Sequence, residues 1–134
     1  MPRESRTPSM DPEIVIEGIE IVIERDLEKH KSLLSRTERE HRSWRNARSH
    51  EVQKKRYYKT LIGGNKYNDE ALRNSIKGIN VNIRHLSDKV KLAEDKMDHH
   101  QMIIDTLTEK LKNVHRGLEV LKNHRRNNPN AFNN

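Results

Sequence analysis

Ten lysine and arginine side chains lie between residues 35 and 66, where only three acidic side chains occur. Aromatic rings stand among them. Cationic side chains neutralise phosphates and aromatic rings stack on bases, so this composition is typical of sequence-tolerant nucleic-acid binding. The predicted contact residues are Arg36, Arg39, Arg42, Arg45, Arg48, Lys54, Lys55, Arg56, Lys59, Lys66, Trp44, Tyr57 and Tyr58.

The charge of the chain is distributed unevenly. Residues 1–34 carry a net charge of −3, residues 35–66 carry +7, and residues 67–134 carry +3. Arginines repeat every third residue from Arg36 to Arg48, so they wind around a helix by about 60° per step and one partner helix cannot bury them all. The prediction is a DNA or RNA backbone as ligand. An acidic protein surface, a lipid surface or a merely solvated face are the alternatives.

The residues that could support metal or catalytic chemistry do not form a recognisable motif. None of the eight histidines is three or four residues from another, the spacing that places two ligands on one helix face. A metal site formed by residues from two different helices, with His30 near the level of His100, is a weaker alternative. The chain has no cysteine, no Gly-rich phosphate loop and no nucleophile elbow. The sequence therefore predicts no enzyme, no cofactor and no metal.

The composition limits which elements can position these residues. Only 31% of the residues are apolar and 35% are charged, which leaves either disorder or long helices that bury a narrow seam. Fourteen of fifteen positions that step alternately by four and three residues from Leu72 to Leu121 are apolar, and this heptad predicts a left-handed coiled coil. His100 is the exception, and a polar residue in such a layer favours a role in fixing register or in sensing pH.

The boundaries of two helices follow from capping residues. Asp11, Pro12 and Glu13 predict the start of a helix over 12–62, and residues 63–68 are expected to form a tight turn. A second helix, with Asn68 or Asp69 as its N-cap, is predicted over 69–124. The seam of the first helix is sparser: Ile16, Ile23, Leu27, His30, Leu34, Thr37, His41, Trp44, Tyr58 and Ile62. Arms of similar length predict an all-α antiparallel coiled-coil hairpin between flexible tails over 1–10 and 125–134.

The segment 14–23 has two interpretations. Seven of its ten residues are β-branched and Gly18 interrupts it, so a short strand is an alternative to a helix. As a helix it would be apolar nearly all round, which exceeds what one partner helix can cover. We therefore expect at least a dimer, with two hairpins in a four-helix arrangement. The predicted interface comprises Ile14, Val15, Ile16, Ile19, Ile21, Val22, Ile23, Met97, His100, Ile103, Ile104, Leu107 and Leu111.

These observations lead to a functional hypothesis. A coiled-coil assembly protein that self-associates and binds nucleic acid non-specifically through residues 36–66 is the leading interpretation. A protein-only scaffold, adaptor or inhibitor, such as a viral or phage assembly component, is the alternative. No apolar run exceeds three residues and cysteine is absent, so neither membrane insertion nor a secretory signal peptide is expected, and the protein is expected inside a cell or in a particle assembled there.

Overall fold

The computed structural model describes residues 11–128, and the predicted tail over 1–10 and the last residues of the tail over 125–134 lie outside them. Two helices, α1 (Pro12–Leu61) and α2 (Asp69–Asn127), make up the described chain and pack against each other as an all-α helical hairpin. The segment 14–23 is helical throughout, so the strand alternative is wrong. Within residues 11–128, neither helix contains a stretch apolar enough to span a membrane.

Side-chain caps define the start of each helix. The Asp11 carboxylate accepts a hydrogen bond from the Glu13 backbone N–H (2.9 Å) at the start of α1. The Asn68 side-chain oxygen accepts from the backbone N–H groups of Glu70 (2.8 Å) and Ala71 (3.2 Å) at the start of α2. Asp69 instead accepts from the Gly63 N–H (3.0 Å), which ties the turn to α2. Asn68 is therefore the N-cap of α2, a role that either of these two residue types can fill.

The end of α2 differs from the predicted end at residue 124. The helix continues to Asn127, and its Arg125 guanidinium donates hydrogen bonds to the carboxylates of Asp11 and, at 2.6 Å, Glu13. This hydrogen bond from Arg125 holds the pKa of Asp11 below its ordinary value. Arg125, assigned to a flexible tail from the sequence, is a helical residue because the start of α1 supplies its counter-charges.

The chain forms two compact units. The terminal unit contains residues 11–31 and 102–128 of the described chain, and the turn unit contains residues 32–101. Ile23, Leu27, Ile104 and Leu118 form the buried core of the terminal unit. The core of the turn unit consists of Leu72, Ile76, Ile79, Val90, Ala93 and Thr37.

The face that α2 buries is the heptad seam. All fifteen predicted seam positions from Leu72 to Leu121 are buried or half-buried. The polar seam residues of α1 are also covered, and buried Thr37 satisfies its hydroxyl by donating to the Leu33 carbonyl (2.8 Å). A polar seam on α1 is tolerated because α2 supplies most of the apolar surface.

Replacing a glycine by alanine is expected to have opposite effects on stability in the turn and inside α2. Gly63 has a φ of +88°, so Gly63→Ala is expected to lower the free energy of unfolding by about 1 kcal/mol. Gly78 lies inside α2, and a Cβ added there meets no atom within 4 Å. We expect Gly78→Ala to raise the same quantity by about 0.5–1 kcal/mol, because alanine loses less backbone entropy in a helix. Urea unfolding followed by circular dichroism measures both, and shifts in the same direction would contradict this description of the turn.

Candidate nucleic-acid interface

The turn unit carries the whole net positive charge of the chain. The turn unit carries sixteen basic and nine acidic side chains, a net charge of +7. The terminal unit, counted over 1–31 and 102–134, carries eleven of each and is neutral. Because the whole chain has a formal net charge of +7, an anionic partner is attracted to the turn unit.

The arginines between residues 36 and 48 are at least partly accessible, but several of them have carboxylates nearby. Arg39 and Arg42 are exposed, and Arg36 forms an exposed pair with Glu40 (3.7 Å). Exposed Arg45 and half-buried Arg48 line a groove of about 430 Å³ together with His41, Val90, Glu94, Met97 and Asp98. Glu94 and Asp98 make this groove unfavourable for phosphate, because carboxylates repel a phosphate group.

The basic residues between positions 52 and 68 have no acidic side chain among them in the sequence. Residues 52–68 contain five basic and no acidic side chains, and 69–77 add Arg73 and Lys77 against Asp69 and Glu70. We call residues 52–77 the tip. Its net charge is +5, and its exposed cationic side chains are Lys54, Arg56, Lys59, Lys66, Arg73 and Lys77, whereas Lys55 is half-buried. The tip is the part of the turn unit best suited to contact phosphates.

All three tyrosines of the chain line one groove at the tip. The groove has a volume of about 380 Å³. It is lined by Tyr57, Tyr58, Leu61, Tyr67, Asn68, Ala71, Leu72 and Ser75. Tyr57 and Tyr67 are 58% and 46% exposed, so their rings are accessible to a ligand, whereas Tyr58 is half-buried. The groove combines aromatic rings with apolar side chains in a part of the chain that carries a net positive charge.

The structure places Trp44 apart from the tyrosine groove and adds Tyr67 to it. Trp44, predicted to contact nucleic acid, is half-buried and does not line the tyrosine groove, and the Lys89 ammonium lies 5.9 Å from its ring centroid. Tyr67 was not identified from the sequence, because it falls in the turn, where no periodicity assigns a face. The signal available was an aromatic residue next to Lys66, whose ammonium lies 5.6 Å from the Tyr67 centroid.

The residues predicted to form the oligomer interface differ in how exposed they are. Ile14, Val15, Ile19, Ile21 and Val22 of the terminal unit are 42–57% exposed. Ile23 and Ile104 are buried inside that unit, so they have little surface left for a second copy. The remaining predicted interface residues are half-buried: Ile16, Ile103, Leu107 and Leu111 in the terminal unit, and Met97 and His100 in the turn unit.

One group of side chains has the donor set of a metal site. Glu20, Glu24 and His115 of the terminal unit each place a ligand atom within 4.8 Å of the others. A histidine nitrogen with two carboxylates suits Zn²⁺ or Mn²⁺. It is not the set suggested by the sequence, since it joins an i,i+4 glutamate pair to a histidine of the other helix. His115 Nε2 already lies 2.7 Å from Glu20 Oε2, so an ion pair or hydrogen bond accounts for this contact without a metal.

Comparison with known proteins adds no family to these observations: no protein-family model, no curated protein and no solved structure matches the chain.

Proposed function

We propose that this chain is a non-enzymatic coiled-coil assembly protein that self-associates and binds nucleic-acid backbones non-specifically through residues 36–66. The observation that carries the proposal is the tip, where exposed cations surround accessible tyrosines and residues 52–68 lack any carboxylate side chain. Cations on a regular helix contact phosphates more easily than they read base edges, so little base specificity is expected.

Self-association is supported by the apolar side chains that the terminal unit leaves uncovered. Ile14 and Ile21 are seven residues apart, so they lie within about 20° of each other on α1. Both are about half exposed, and a Cβ added at Gly18, which lies between them, would meet no atom within 4 Å. Surface apolar residues in a row of this kind are typical of protein contacts. A second copy of this chain is the proposed occupant.

A salt titration tests the nucleic-acid proposal. Several phosphate contacts per protomer should give a slope of log affinity against log salt of about −4 to −6 on duplex DNA, because each contact releases condensed counterions. Fluorescence anisotropy with a labelled duplex measures the slope between ~50 and ~200 mM salt. A protein that binds no duplex or single strand at ~50 mM salt, where such contacts are strongest, would refute the proposal.

A protein-only scaffold is the second candidate. The groove with Arg45 and Arg48 beside Glu94 and Asp98 favours it, because mixed charges suit a protein surface better than a phosphate backbone. In that case the turn unit contacts an acidic protein surface, and nucleic acid is not a ligand. The salt titration separates the two candidates, since only the first requires binding to bare nucleic acid.

A further inference from the structure

We infer that the tyrosine groove at the tip accepts an unpaired base, so that the protein prefers single-stranded nucleic acid over duplex. The inference deepens the proposed function and rests on it. It concerns the class of nucleic acid, which the basic side chains alone do not distinguish because both classes carry the same phosphates.

The first step is the accessibility of the rings. Tyr57 and Tyr67 come from opposite sides of the turn, both line one groove, and each is about half exposed. The Tyr57 and Tyr58 centroids lie 6.1 Å apart with their planes tilted by 51°, so the two rings do not stack face to face on each other. A face of Tyr57 is therefore not consumed by its neighbour and is available for stacking.

The second step is the chemistry of the groove. Leu61, Ala71 and Leu72 contribute apolar surface to the groove, and Asn68 and Ser75 contribute polar groups. A flat heteroaromatic ring matches this combination, since it gains from apolar contact on its faces and from hydrogen bonds on its rim. A paired base exposes only its edges, so it cannot present a face to Tyr57 or Tyr67.

The third step is the position of the cations. Lys66 lies over the Tyr67 ring, and such an exposed cation–π contact is weak, so a base can displace its ammonium from the ring. The displaced ammonium remains beside the groove, where the phosphate that accompanies the base would lie. Lys54 is exposed and lies about 60° around α1 from Tyr57, so it extends the cationic surface beside the groove. One groove and its surrounding cations therefore suit a base and its backbone together.

The test compares oligonucleotides of about twelve nucleotides, within the range of site sizes for single-strand binders. Labelled oligo-dT, the corresponding oligo-dT·oligo-dA duplex and an abasic single strand of equal length are titrated with the full chain at ~100 mM salt. The inference predicts tighter binding to oligo-dT than to the duplex or the abasic strand. Equal affinity for oligo-dT and the abasic strand would overturn it, because these ligands differ only in their bases.

Variants assign the preference to the groove. Tyr57→Leu with Tyr67→Leu should weaken oligo-dT binding by about 10- to 100-fold, the range expected for lost base stacking, while duplex affinity changes by less than about twofold. Tyr57→Phe with Tyr67→Phe keeps the rings and should retain the preference. An unchanged preference in the leucine variant, or an equal loss on both ligands with helicity preserved, would overturn the inference and leave the backbone binding of the proposed function standing. Absence of binding to every ligand at ~50 mM salt would instead remove the proposed function itself.

Discussion

Replacing Lys54, Arg56 and Lys59 together by glutamine is expected to weaken duplex binding by about 10- to 100-fold at ~50 mM salt and to reduce the salt slope by about two to three units. All three side chains are exposed and lie in the stretch without carboxylates. Each removed phosphate contact reduces the slope by about 0.9. The same anisotropy titration used for the unmodified chain measures both quantities.

The matched control removes the same charge from the terminal unit. Arg25, Lys29 and Lys110 are exposed there, and their joint replacement by glutamine lowers the net charge equally. We expect this control to change the slope by less than about one unit. If both variants lose affinity to the same extent, the attraction depends on overall charge and the tip is not the contact surface.

Replacing Arg45 and Arg48 by glutamine should lower duplex affinity by less per residue than the tip variant does, because Glu94 and Asp98 share their groove.

Ile14→Ser combined with Ile21→Ser is expected to raise the Kd of the homodimer by at least about a hundredfold. The two side chains are 57% and 49% exposed, and a symmetric dimer buries each of them twice. Covering four such side chains contributes several kcal/mol at about 25 cal/mol per Å² of apolar surface, which exceeds the roughly 2.7 kcal/mol of a hundredfold change. Sedimentation velocity over a dilution series measures the Kd.

A closely matched pair of apolar residues exists in the turn unit. Val81 and Leu92 are 60% and 48% exposed, and their spacing of eleven residues also places them within about 20° on their helix. Val81→Ser with Leu92→Ser should leave the Kd unchanged. A wild-type chain that sediments as a monomer at micromolar concentration would contradict self-association, and equal weakening in both variants would contradict its assignment to Ile14 and Ile21.

The helices were predictable because their signals are local. Capping at Asp11 and Asn68 and the heptad from Leu72 to Leu121 depend on residues that are near one another in the sequence, and the packed face of α2 follows them. The last turn of α2 was not predicted because no apolar residue follows Leu121 in the described helix. Its Arg125 is fixed by Asp11 and Glu13, which are more than a hundred residues away in the chain.

The candidate site was only partly predictable for a related reason. The number of cations between residues 36 and 66 can be read directly, but which carboxylates lie opposite them depends on the register of the two helices. Arg45 and Arg48 have Glu94 and Asp98 in their groove, whereas residues 52–68 have no acidic neighbour in their own stretch. The meeting of Tyr67 with Tyr57 likewise requires the turn geometry, which capping signals locate without specifying where a side chain points.

The shallow core has a consequence for the response of the protein to temperature. Among residues 11–128 no large side chain is less than 2% exposed, and Val90 still exposes 3%. Unfolding therefore adds little newly hydrated apolar surface per residue, and the heat-capacity change should fall below the about 12–15 cal/mol/K per residue of globular domains. A small heat-capacity change flattens the curve of stability against temperature. Such a hairpin loses little stability on cooling, so its assemblies should persist at temperatures that weaken proteins with larger apolar cores.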